Sequence, residues 1–275
     1  MTETATAGLD LRDFVDGQAP FFAGTANVIM QLGWPAVGYG VYESKVDDGN
    51  VMLVPLKRAR TTVTYLSVAL LGTPAERAAY RRAVNRQHTQ VHSDEHSPVA
   101  YDAFDPELQL WVAACLAYGA RDFHERFHGR PDRPTAEWLH RQMSRLATTL
   151  QVPEDRWPAS LEEFDAYWAA GLEKVSYDDT LRGYLNDLLD LRQLPEVERR
   201  PVAAFHRWVN TGFLPPEFRE RMGLEWSVGD QVRFETRMAK VGHLNRRMPR
   251  SLRMFPFNFF LSDFRLRNRL DLRLV

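Results

Sequence analysis

His88 and His92 are the side chains best suited to chemistry in this chain, set four residues apart at the end of PAERAAYRRAVNRQHTQVH. At a period of 3.6, Tyr80, Val84, His88 and Val91 fall at i, i+4, i+8 and i+11, which places His88 on a core-facing stripe. His92, one turn further on, shares that face. An imidazole turned inward must hydrogen-bond, pack as a satisfied core residue or ligate a metal, because leaving it unpaired costs about 1–3 kcal/mol. Periodicity leaves the core role and the ligand role both open.

Few metal chemistries suit these residues. His88, His92 and His96 are spaced four apart, but Ser97-Pro98 ends the helix and leaves His96 in a loop. Di-iron bundles place Glu three residues before a ligating His, where this chain has Asn85 and Thr89. Glu125 before His128, with Asp122 and His124 nearby, is such a match, and it reads as a solvated helix end. A buried histidine without neighbouring carboxylates fits a single axial ligand to haem better than an all-protein cage. The porphyrin supplies four ligands itself, and its propionates need cations. Lys57, Arg58 and Arg60, followed by Thr61, offer those at a helix start, where three cations oppose the helix dipole and favour an anionic partner. No Walker motif, dinucleotide fingerprint, G-x-S-x-G elbow, H-E-x-x-H or paired C-x-x-C occurs.

The elements that must carry these groups are helical. Residues 1–8 read as a disordered leader, with a helical pattern from near Leu9. PFFAGTANVIMQLGW, from Pro20 to Trp34, is almost uncharged and predicts a central buried helix. PAVGYGVYESKVDDGN reads as irregular, with Gly38 and Gly40 breaking helix and Asp48-Gly49-Asn50 marking a turn. Two helices follow, separated by Gly72-Thr73-Pro74, with Thr73 as N-cap and Pro74 first in the helix. Asp105-Pro106-Glu107 caps a long helix whose buried stripe is Leu108, Trp111, Val112, Cys115, Gly119, Phe123 and Phe127. Helical patterns recur at about 134–150, 160–171, 177–192, 196–212 and 227–247, punctuated by prolines. No alternating run indicates a sheet, so the expected class is all-α, as one domain over 1–275. Segment 251–275 mixes Phe and Leu with arginines; Arg265, Arg269 and Arg273 share a helical face that could touch an anionic membrane surface weakly.

Composition narrows the function classes. With 35 basic and 36 acidic side chains there is no global steering toward nucleic acid. The single cysteine, Cys115, lies in an apolar run, which excludes an intramolecular disulfide and makes it a small buried hydrophobe. No basic-apolar leader or spanning segment occurs, so the expected location is cytoplasmic.

The order PLKRARTT, LGTPAERAAYRRAVNRQHTQVH, SPVAYDAFDPELQLWVAACL and WPASLEEFDAYW resembles the oxygenase family of latex-clearing protein (rubber oxygenase) and the fungal mycophenolic-acid-pathway oxygenase. PPEFRERMGLEWS resembles its later segment. The resemblance implies an all-α fold around haem b, with His88 as the iron ligand; Arg58 of the basic cluster is then a cofactor-binding candidate for the propionates, and His92 the next candidate ligand. It implies dioxygen chemistry on a small apolar substrate, isoprenoid or aromatic. The family's R-x-x-K-T motif falls on Lys57-Arg58-Ala59-Arg60-Thr61, giving Lys57, Arg60 and Thr61 catalytic roles. Arg60 keeps the charge of the family's lysine but cannot ligate iron as an amine can. Glu43 falls where rubber-cleaving members have a catalytic acid, and Ala113 stands where many have histidine. The alternatives are a haem-binding or sensing protein without turnover, and a metal-free helical protein that binds a lipid or partner.

Overall fold

The computed structural model describes residues 6–46 and 50–275; residues 1–5 of the expected leader and the Asp48-Gly49 turn fall outside them. The described residues form no strand, only an isolated antiparallel bridge between His92 and Asp102, so the class is all-α as expected.

The long helix α5 (Pro106–His128) is the spine, preceded by α1 (Ala19–Leu32), α2 (Pro35–Tyr42), α3 (Pro55–Leu71) and α4 (Pro74–His88). Its expected stripe is largely core: Trp111, Cys115, Phe123 and Phe127 are at most 1% exposed. The rest of the chain runs through α6 (Arg133–Met143), α7 (Arg145–Thr148), α8 (Leu161–Glu173), α9 (Asp179–Leu189) and α10 (Glu196–Arg199). It ends with α11 (Ala203–Phe213), α12 (Pro216–Met222), α13 (Val228–Arg246), α14 (Arg250–Arg253) and α15 (Phe257–Arg269). α5 packs on α1, α7 and α13, while α3 packs on α4 and α15.

A column of stacked rings crosses the core: Trp34 on Trp111 at 4.7 Å, Trp111 on Trp168 at 5.3 Å, and Trp168 on Tyr118 at 4.1 Å. Gly171 makes it possible, since a Cβ there would lie 2.4 Å from the Trp111 ring. The Gly171 carbonyl also accepts the Trp34 indole N–H at 2.9 Å.

Three expectations are corrected. Pro35–Tyr42 is a helix, not an irregular segment. Gly38 lies so close to Leu181 that a Cβ would meet it at 2.7 Å, and Gly40 faces the Tyr101 ring, so packing outweighs glycine's poor helix propensity. The pattern from Leu9 forms only a 3-10 turn, Leu11–Asp13. The last helix stops at Arg269, so Arg273 lies in the tail and does not share a helical face with Arg265, which instead pairs with Glu76 on α4. None of the described helices is long and apolar enough to cross a membrane.

Candidate functional site

The capping box at Thr73 fixes where α4 begins: the Thr73 hydroxyl accepts the Glu76 N–H at 3.2 Å, and Glu76 accepts the Thr73 N–H at 2.8 Å. Fifteen residues on, the helix ends at His88. The chain then leaves the helix because Ser93 N–H donates to the Tyr101 carbonyl and Ala103 N–H to that of Val91. His92 therefore does not share the helical face expected for it; it is exposed and paired across the bridge with Asp102.

His88 lines a cavity of about 290 Å³. Val37, Gly40 and Val41 of α2, Leu66 of α3, Val84 of α4 and Leu108, Val112 and Leu116 of α5 give it apolar walls. The uncharged helix α1 contributes Gln31 alone.

The imidazole sits half-buried with Nδ1 enclosed and without a hydrogen-bond partner, edge-on to Phe104 at 6.1 Å. Burial, then the charge of Arg58, pulls its pKa down to about 4, with Asp102 opposing, so the ring is neutral at physiological pH. Asn85, one turn earlier, anchors this end of α4. Its Oδ1 accepts Gln151 Nε2 at 2.6 Å, and Gln151 is tied in turn to Gln109 of α5 by two bonds of 2.6 and 2.9 Å.

The basic cluster divides. Arg58 and Thr61 line the cavity, whereas Lys57 and Arg60 do not. No carboxylate pairs with the Arg58 side chain among the described residues; the residue is exposed and lines the cavity, and desolvation by the surrounding protein lowers its pKa against the support of Tyr184 and Tyr80. Thr61 spends its hydroxyl hydrogen on the Arg58 carbonyl at 3.0 Å, and its own carbonyl accepts the Tyr80 hydroxyl at 2.8 Å, joining α3 to α4.

Glu43 ends α2 beside the cavity, with Oε2 accepting the hydroxyls of Ser97 at 2.7 Å and Tyr101 at 2.9 Å. Sequence reasoning missed Asp102, Gln87 and the tail residues Arg273 and Val275, all on the cavity wall. None sits in a recognisable pattern; Gln87 precedes His88 on α4, and chain reversal after α4 and α15 brings the others there. Cys115 is fully buried and its thiol pKa is pushed up, in keeping with a small core hydrophobe.

Residues 11–243 match the family described as ER-bound oxygenase mpaB/B'/Rubber oxygenase, catalytic domain. The chain belongs to this oxygenase family. It is also 46% identical over 250 residues to "Uncharacterized protein Mb2261" of Mycobacterium bovis, a match covering 91% of this chain and 98% of the relative. "Uncharacterized protein Rv2237" of Mycobacterium tuberculosis matches to the same extent. No solved structure matches the chain. The mpaB/rubber-oxygenase match includes every helix that lines the cavity, from α1 to α5, and stops before α14, α15 and the tail.

Proposed function

We propose that the chain is a haem b-dependent oxygenase that uses dioxygen on a small apolar substrate, isoprenoid or aromatic, with His88 as the iron ligand. The observation that carries this reading is the buried, partnerless Nδ1 of His88 on an apolar cavity shared with an arginine that no carboxylate among the described residues neutralises. These residues fit the group: a neutral imidazole for iron and a cation for a propionate. When bound, the haem would supply the activation of dioxygen, which no protein side chain here can perform.

The chain's own residues do the rest. Burial keeps His88 unprotonated, so its lone pair is available. The Asn85–Gln151–Gln109 bonds hold the last turn of α4 against α5, fixing the imidazole's direction. Arg58 holds an anionic group of cofactor or substrate, while Thr61, its hydroxyl hydrogen committed to the Arg58 carbonyl, leaves a lone pair for a donor in the cavity. Lys57 and Arg60 lie off the wall and add positive potential at that end of α3 without contact. The apolar walls exclude water and select an apolar substrate.

The test is the visible absorption spectrum of protein purified after expression with ample haem, oxidised and reduced, for wild type and His88→Ala. A Soret band in the wild type that is shifted or lost in the variant is expected. An absent band in the wild type removes the cofactor from the reading, and a band unchanged by the substitution removes His88 as ligand.

A further inference from the structure

His124 and His128 lie at the end of α5 remote from the cavity, beginning about 12 Å along the helix axis beyond Leu116. Their sequence predicts a solvated helix end, but the turn before α1 folds over them and buries Asp16 against the pair. From this cluster we infer a binding site for a divalent transition metal of the Zn²⁺ or Co²⁺ class, formed by Asp16, His124 and His128.

The i, i+4 spacing puts both imidazoles on one face of α5, stacked at 4.8 Å and 23°. His128 Nε2 is 2.7 Å from Asp16 Oδ2, and one ligand atom from each of the three residues lies within 4.8 Å of the others. Zinc bonds of about 2.1 Å put tetrahedral donors about 3.4 Å apart, so closure asks for side-chain shifts of about 1 Å. The hydrogen shared by His128 Nε2 and Asp16 must leave Nε2, moving to Nδ1 or to solvent.

Two orphaned atoms point to a ligand independently of the spacing. His124 Nδ1 is buried without a partner, and so is Oδ1 of Asn245, on α13. The Nδ2 of that same asparagine donates to Asp16 Oδ1 at 2.8 Å, aiming the other carboxylate oxygen at the histidines as an outer-shell group does at metal sites. Two imidazoles and one carboxylate suit zinc or cobalt; magnesium and calcium want oxygen ligands. Against the cation stands Arg253, whose Nε lies 3.7 Å from Asp16 Oδ1, so binding is weaker than in an uncharged setting. A metal here would tie the turn before α1 to the end of α5 and, through Asn245, to α13. None of this depends on the oxygenase reading.

The experiment is titration of the chelator-treated full chain with Co²⁺, followed by its visible bands, and with Zn²⁺, followed by thermal melting. One equivalent of Co²⁺ and a melting temperature that rises with Zn²⁺ are expected, both retained in His88→Ala and in the surface control His243→Ala. His124→Phe keeps an aromatic ring beside Phe14 and should fold, by circular dichroism, yet bind at least tenfold more weakly; Asp16→Asn should lose affinity similarly. No saturable binding by the wild type overturns the site. So does an equivalent that survives in His124→Phe, or one that disappears in His243→Ala.

Discussion

Arg58 carries a charge that no carboxylate among the described residues neutralises. The protein around it disfavours its charge, although the residue is exposed, so this end of the cavity favours an anionic ligand. Arg58→Met should therefore raise the thermal midpoint of ligand-free protein, while haem taken up by the variant passes to apomyoglobin at least tenfold faster than from the wild type. A midpoint that falls, with unchanged haem transfer, would mean that Arg58 is paired within the protein. His88 makes a second prediction. Its folded pKa of about 4 lies below its ordinary 6.5, so between those values the unfolded chain binds more protons. Stability is complete above pH 6.5 and is lost as pH falls toward 4; His124, lowered to about 4 by burial, acts in the same sense. Urea unfolding of metal- and haem-free protein should show a lower midpoint at pH 5 than at pH 7, by about 1–2 kcal/mol per histidine. His88→Leu should flatten that dependence. The sequence marked His88 by period and motif, but it could not tell Arg58 from Lys57 and Arg60. Which cation reaches the cavity depends on how α3 is rotated about its axis, and packing sets that.

α4 was legible at its start and not at its end. Its first turn is written locally, in Thr73, Pro74 and Glu76, and local bonds form there. Its last turn is set by pairing between residues 91–93 and 101–103, a contact across a loop that periodicity does not see. α2 was hidden for a similar reason, because its glycines are poor helix formers whose value appears only against Leu181 and Tyr101. Glu76 links the local and the distant: besides capping α4 it accepts Arg265 of α15 through both oxygens, at 2.7 and 3.3 Å. Thr73→Ala should cost about 1 kcal/mol. Glu76→Ala should cost more, since it removes the cap and the α4–α15 ion pair together. Urea midpoints of the two variants, with Arg265→Gln as a third, separate the contributions.

Across the whole molecule, the all-α class and the order of the main helices follow from prolines, caps and 3.6-residue periods, and the family from the order of motifs. Contacts between the ends of the chain were not legible. The cluster of Asp16, His124, His128 and Asn245 joins four positions from three regions, and no window of sequence contains them. The aromatic column is of the same kind, and it permits a prediction at this scale. Gly171→Ala should destabilise by about 1–3 kcal/mol through overpacking, read as a lower urea midpoint, because its methyl would fall inside the Trp111 ring's contact distance. Truncating Trp111 alone should cost more, about 3–5 kcal/mol, from the void it leaves. A matched pair, smaller at 111 and larger at 171, should be milder than either single change. Positions 111 and 171 therefore form a two-letter word that drift cannot respell one letter at a time: each intermediate is either crowded or hollow, and descendants of this chain should keep both residues or exchange both.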